Sequence, residues 1–396
     1  MRKNFFSILM KTNKTLLIGL ITALSATSST ASAETLEERV AKLEAKLSSK
    51  KHSDVKVFGR LQFDKTWITA DDTSLSLQNN SKLRRGRIGA KGKVDGGWKY
   101  KAEIDFAGNN STVKDAYIAK KLSDNENIKI GQFKEPFSLE ELTSSLSTTF
   151  MERASINGVV SARKIGIGYN KRLNNLNIQT GIFGDSVGTS SDTDDETNSA
   201  TIRVSKFNNN ENSTFHIGAA YRLSEPTGDS VTYNFKPEAS VETSSSVISA
   251  AVTDVEQVTQ TGLELAYVKN RFSVQGEYIA TELEIDNADD QTIDGYYGQI
   301  SYFLTNDKRN YSEKKSAFGS VKPNSKKGAF ELAYRYSKTD ASDTGNGIVR
   351  NNTAAISWYA SNNVRFIANY VWVNADINTT YANDAEIFGA RAQINF

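Results

Sequence analysis

Residues 98–106 read WKYKAEIDF, and the alternation within this stretch decides the fold. Trp98, Tyr100, Ala102, Ile104 and Phe106 share one side of an extended chain, while Lys99, Lys101, Glu103 and Asp105 share the other. A one-residue slip in a sheet would exchange the two sides completely. The split recurs. Phe215, Ile217, Ala219, Tyr221 and Leu223 oppose His216 and Arg222, and Phe330, Leu332, Tyr334 and Tyr336 oppose Glu331 and Arg335. Val364, Phe366, Ala368, Tyr370 and Trp372 oppose Arg365 and Asn369, and the closing FGARAQINF, 388–396, keeps an apolar residue at every second position to Phe396. Clusters of Asn, Asp, Gly and Ser separate the runs. Counting from VKVFGRLQFD onward gives about sixteen strands, an even number as in bacterial outer-membrane barrels.

A soluble sandwich and a membrane barrel both alternate in this way. Aromatic placement separates them: Trp67, Trp98, Tyr302, Trp358 and Trp372 stand near strand ends, where an interfacial girdle places amphipathic rings. Mean hydropathy is low, −0.47, which excludes helical spans but leaves a barrel with a polar lumen open. In hydrocarbon every backbone group must pair within the protein, so the last strand is expected to close onto the first. The expected fold is therefore an all-β transmembrane antiparallel barrel, preceded by a short helical segment. The terminal Phe396 suits a C-terminal strand read by the barrel-assembly machinery.

The first residues follow a different code. Arg2, Lys3, Lys11 and Lys14 precede an apolar stretch from Thr15 to Ala26 and the small residues Ala31, Ser32 and Ala33, the order of a secretory signal peptide over 1–33. Met10 would also serve as a start. Removing 1–33 takes four of the 48 Lys and Arg and none of the 46 Asp and Glu, so the mature chain holds 44 basic against 46 acidic residues. The chain's net charge of +2 is thus no argument for nucleic-acid binding. Next, Leu36, Val40, Leu43 and Leu47 form a heptad seam, predicting a periplasmic coiled-coil segment over 34–50 with the barrel domain over 51–396. Barely two heptads hold together only if an oligomer already gathers their copies. Cysteine is absent, which removes disulfides and thiol chemistry.

Within the barrel, GQFKEPFSLEELTSSLSTTFMERA, 131–154, resembles the signature of the phosphate- and polyphosphate-selective porin family of Gram-negative outer membranes. VFGRLQFD at 57–64, LRRGRIG at 83–89, RNYSEKKSAFGSVKP at 309–323 and SWYASNNVRFIANYV at 357–371 are similar to the family in the same order. The resemblance implies a homotrimer of sixteen-stranded barrels embedded in outer-membrane lipid. Each would have a pore narrowed by inward-folded loops, with the N-terminus in the periplasm and small anions as permeants. The 131–154 stretch also carries its own physics: Pro136 stops a strand, and Ser138 with Glu141 has capping-box spacing, predicting a short helix in a constriction loop with Lys134 at its base.

Taking the non-aromatic parity of each strand as lumenal sets Arg60, Arg85, Arg87, Lys91, Lys93, Lys99, Lys101, Arg203, Arg222, Arg335, Arg365 and Arg391 inward, against Asp64, Glu103, Asp105, Glu264, Glu277 and Glu331. Such a basic wall favours anions, because low-dielectric walls focus its field. The candidate anion path is Arg60, Arg85, Arg87, Lys91, Lys134, Arg203, Arg222, Lys236, Arg309, Lys314, Lys315, Lys322 and Arg335. Lys99 and Lys101 are expected to be balanced by Glu103 and Asp105. In 224–241, where the family carries closely spaced arginines, this chain reads Tyr233, Asn234 and Phe235 with only Lys236 before Pro237. That departure predicts a weakly anion-selective or general porin rather than a high-affinity phosphate channel. A barrel phospholipase would need a Ser tied to a His, but His52 and His216 stand alone, so no catalytic residue, metal site or cofactor is expected. A surface receptor with an incidental pore is the remaining alternative.

Overall fold

A computed structural model describes residues 55–70, 77–108, 110–188, 196–241, 246–377 and 383–396, all within the second of two compact units, His52–Phe396. The expected signal peptide and coiled coil lie outside the described residues. Strands β1 (Lys56–Ala70), β2 (Asn80–Lys93), β3 (Trp98–Asp105), β4 (Thr112–Lys121), β5 (Glu126–Lys134), β6 (Arg163–Leu173), β7 (Leu176–Phe183), β8 (Asn198–Asn209) and β9 (Ser213–Glu225) follow one another as antiparallel neighbours. The hairpin β10 (Ser230–Phe235) and β11 (Ile248–Thr253) comes next, before β12 (Val255–Lys269), β13 (Phe272–Ile285) and β14 (Gln291–Phe303). A second hairpin, β15 (Asn310–Ser312) and β16 (Ala317–Gly319), precedes β17 (Ala329–Asp340), β18 (Ile348–Tyr359), β19 (Val364–Asp376) and β20 (Asn383–Asn395). Leaving out the two hairpins, sixteen strands close into a barrel.

Closure satisfies the hydrogen-bond demand that the final alternation foretold. β20 pairs with β1 from Arg60 opposite Asn395 to Ala70 opposite Ala385, and the Phe396 and Gly59 backbones exchange bonds of 3.0 and 3.1 Å beyond the Arg60–Asn395 pair. Ile88, Ile104, Ile217, Leu265, Ile300, Leu332 and Phe366 are exposed on the outside, as the parity requires. Rings also stack along this surface, Phe330 on Trp358 at 5.9 Å and Trp358 on Phe366 at 5.5 Å.

One end of the barrel has connections of two to four residues, apart from the segment 304–328 between β14 and β17; the other end carries the long connections. Towards the long-connection end the polarity of the wall inverts. On β13, Ile279 and Leu283 point inward and are buried, while Glu282 and Glu284 point out. On β19 and β20, Val371, Val373, Ala385 and Ile387 are likewise buried inside, with Glu386 outside beside Tyr370. Trp67, Phe388, Tyr370 and Trp372 stand near the changeover, which fits strands that run past the girdle into water. Assigning polar parity to the lumen along whole strands therefore fails above the girdle, where water lies outside and an apolar core lies within.

That core is built by chain folded back into the barrel. Phe137, Ile156 and Val159 from the β5–β6 connection and Phe235, Ala239, Val241 and Ile248 from the β10–β11 region pack on Val258, Ile279, Leu283, Ile293, Val349 and Val373 of the wall. The predicted helix forms as α1 (Leu139–Leu142), with the Ser138 side chain accepting a bond of 3.1 Å from Glu141 N. β5 ends at Lys134, two residues before Pro136.

Candidate pore and its lining

Most inward arginines are held by carboxylates. Arg335, fully buried on β17, donates to Glu238 Oε2 at 2.8 and 2.5 Å and to Glu140 Oε1 at 3.1 Å, and stands 4.4 Å from the Phe150 ring. Glu238 accepts further bonds from Ser155 N, Thr353 Oγ1 and Ser337 Oγ, so one carboxylate ties both inward segments to the wall. Arg391 forks onto Asp64 at 2.7 Å twice and reaches Glu152 at 2.6 Å. Arg365 donates to the carbonyls of Thr148 and Thr149, and Arg222 to Glu135. Such paired, planar forks suit fixed docking.

The carboxylates of the β5–β6 connection register these neighbours. Burial alone would raise Glu141, but Arg153 and Lys134 override it and bring its pKa down to about 2. Burial acts the same way on Glu152, yet Arg84, Arg85 and Arg391 hold it well below the ordinary carboxylate range. Glu140 is raised by burial, with Arg335 only partly offsetting it. The N–H groups of Leu139 and Glu140 donate to Glu277 of β13 at 2.8 and 2.7 Å, fixing the start of α1.

From the opposite end, the segment 304–328 also enters the lumen. Its Ser316 carbonyl accepts from Arg203, which forks onto Glu264 at 2.8 and 2.7 Å. His216, fully buried, bridges Glu264 at 2.9 Å and Tyr311 OH at 2.7 Å. Arg309 is buried over the Phe318 ring at 3.7 Å and donates to Ser273 and Gln275. The backbone N–H of Phe318 meets Thr143 Oγ1 at 3.3 Å, so the segments from the two ends touch.

A second arc of wall is open. Inward residues of β8, β9 and β12–β14 are buried under the inserted segments, whereas those on β3–β6 and the turn end of β2 are largely half-buried or exposed. Here cations outnumber acids. Glu103 is shared by Arg60 at 3.8, Arg87 at 3.1 and Lys101 at 2.9 Å; Asp115 is shared by Arg163 at 2.6 Å and Lys101. Lys91, Lys93, Lys99, Lys129, Lys314 and Lys315 form no ion pair among the described residues, although Asp115 stands near enough to Lys129 and Lys315 to attract them. Enclosure by the lumen lowers the pKa of Lys315, and Lys101 lowers it further, so the inserted segment faces the wall lysines.

The thirteen candidate residues thus separate. Lys91, Lys314 and Lys315 are exposed to the lane, and Arg60, bonded to Ser144 and Ser145 as well as Glu103, sits at its edge. Arg85 and Arg87 are buried and paired with Glu152 and with Glu103 and Asp105. Arg203, Arg222, Arg309 and Arg335 are buried in docking contacts, and Lys134 is tied to Glu141. Lys236 is half-buried with partners of its own, and Lys322 is exposed on the 304–328 segment. The expected balancing of Lys99 does not occur: its strongest charged neighbour is Lys314. Lys129 and Arg163 were missed, although the alternation of Ile128, Lys129 and Ile130 shows the first of them.

The model for phosphate-selective porin O and P matches residues 55–396. The chain belongs to that family, and it is an outer-membrane β-barrel porin. It is 24% identical to Porin O of Pseudomonas aeruginosa, over 87% of this chain and 89% of that protein. Among solved structures it is similar to the anion-selective porin of Comamonas acidovorans, at 13% identity and a TM-score of 0.56, covering 87% of this chain and 100% of that one. The trimer form of OmpT of Vibrio cholerae is similar at 10% identity and a TM-score of 0.53, covering 87% and 99%.

Proposed function

We propose that the protein is a diffusion channel that prefers anions, with its selective lane between β2–β6 and the inserted segment 304–328. One observation carries this reading: six lysines line that lane without forming an ion pair among the described residues, while its acids Glu103 and Asp115 are each already paired with two or more other cations. A cationic lane between low-dielectric walls raises the local concentration of anions and repels cations. Lysine, a hydrated point charge, holds an anion weakly enough for it to move on. The arginine forks that would grip phosphate more tightly are engaged with carboxylates or carbonyls, which supports weak selectivity among small anions, phosphate included, rather than tight phosphate binding.

The same reading makes the working unit a homotrimer in outer-membrane lipid, with the coiled coil over 34–50 in the periplasm after removal of the signal peptide over 1–33. Family membership and the trimeric form of a similar barrel support it. In this reading the protein is a transporter of solutes, not an enzyme. Purified protein in a planar bilayer under a KCl gradient is expected to give a reversal potential of the chloride-preferring sign, in threefold conductance steps. A potassium-preferring sign would defeat the proposal.

A further inference from the structure

Resting on the anion-channel reading, we infer that the turn end of the lane is a subsite for planar organic anions, such as an aromatic carboxylate, rather than for a bare oxyanion. The inner face of a porin strand is where alternation places polar side chains, yet aromatic rings stand there beside the lysines. Lys91 and Lys101, opposite each other across β2 and β3, both place Nζ 5.1 Å from the centre of the Phe58 ring. Two strands further on, Lys129 Nζ lies 4.7 Å from the Tyr117 ring and 4.6 Å from the Phe133 ring. Tyr117 and Phe133 meet edge-on at 6.1 Å, and Tyr117 is the cross-strand partner of Lys101. Rings and cations thus stand side by side across five adjoining strands, β1 to β5.

The wall beneath is shaped for flat groups. A Cβ on Gly89 would come within 2.6 Å of the Phe58 ring, and one on Gly168 within 2.9 Å of Phe133, so each ring lies directly over a glycine. Phe58 and Tyr117 are only half-buried and keep surface toward the lane. From across the lane Lys315 adds charge near Lys91 and Lys101. A small oxyanion would use the ammonium groups alone and leave this apolar surface wet. A planar carboxylate uses both, setting its charge beside Lys91 and Lys315, since Lys101 is held by Glu103 and Asp115, and its ring on Phe58 or Tyr117. Cyclohexanecarboxylate, which has the same charge but lacks the flat π face, gains less.

The test titrates chloride current through the full-length channel in a planar bilayer with benzoate, cyclohexanecarboxylate and inorganic phosphate. Benzoate is expected to reach half-block at a concentration about twofold to tenfold below that of cyclohexanecarboxylate, the range of a well-placed ring pair, and below that of phosphate. Phe58→Leu together with Tyr117→Leu keeps apolar volume and is expected to bring the ratio of the two carboxylates to about one; if the double variant fails to insert, the two single variants are measured separately, and at least one is expected to lower the ratio. Equal block by both carboxylates in the native channel, phosphate blocking at lower concentration than benzoate, or an unchanged ratio in the double variant or in both single variants overturns the subsite while chloride is still preferred. A potassium-preferring native channel instead overturns the parent reading.

Discussion

The open arc of β2–β6 and the covered arc of β8–β20 are written in the same alternating code, with bases at inward positions in both, yet those bases do different work. On the covered arc Arg203, Arg222, Arg335, Arg365 and Arg391 are each met by a carboxylate or carbonyl, and inserted chain takes the place of water. On the open arc Lys91, Lys99 and Lys129 make no ion pair among the described residues: Lys91 and Lys129 lie over aromatic rings and Lys99 stands near Lys314. What separates the arcs is the partner brought by a connection far away in sequence, and residue type follows it: forked arginines dock, single-point lysines line the lane.

The comparison breaks first at Arg335. Removing it leaves Glu238 and Glu140 buried without their shared cation, a loss of about 3–5 kcal/mol in other buried pairs. Arg335→Ala is therefore expected to lower the temperature at which the folded barrel unfolds in detergent and to raise single-channel conductance as both inserted segments lose their tie. Lys99→Ala should stay within about 0.5 kcal/mol of the native protein. Similar thermal unfolding of the two variants would show that the arcs are not energetically distinct.

The inverted end of the covered arc gives the next contrast. Leu283 and Glu282 are adjacent, but Leu283 is fully buried inside and Glu282 faces out. Leu283→Ala should cost about 2–5 kcal/mol, transfer and cavity together, whereas Glu282→Ala should be nearly silent. A clear stabilisation by Glu282→Ala would mean that this surface meets lipid rather than water.

Charge reversal sharpens the open arc. Lys99→Glu together with Lys129→Glu is expected to move the reversal potential toward potassium, since one unit charge near a passing ion in water is worth about 1 kcal/mol. An unmoved potential would place the ion path elsewhere in the lumen.

The barrel was legible because alternation is a local property: WKYKAEIDF reveals its two faces without any partner. Closure was legible too, since backbone pairing in lipid leaves few alternatives. The lining was half legible. Parity correctly turned Arg203, Arg335 and Arg391 inward, but it could not show Glu264, Glu238 and Asp64 waiting for them, because Arg335 and Glu238 are joined only when a loop nearly a hundred residues away folds in. For the same reason Lys99 looked balanced by its strand neighbours, while Lys101 in fact takes Glu103. Parity also failed above the girdle, where Leu283 and Val373 are buried inside against Phe235 and its neighbours.

The smallest expected effect is that of acid, and its sign follows from the docking carboxylates. Glu141 has its pKa lowered from 4.5 to about 2, and Glu152 is lowered as well. A depressed carboxylate contributes stability in full above its unfolded value and loses it as pH falls through the folded value. The stability carried by Glu141 should therefore be complete from neutral pH down to about 4.5 and be lost progressively from there to about 2, while in the folded barrel its carboxylate stays ionised, and the tie in place, until pH nears about 2. Glu140 works in the opposite sense: burial raises it, so protonation relieves its desolvation instead of breaking a favourable charge. Single-channel conductance recorded in fixed KCl is expected to stay nearly flat between about pH 7 and 4. A stepwise rise within that window would mean that carboxylates of ordinary pKa hold the inserted segment, contrary to the pairing of Glu141 with Lys134 and Arg153.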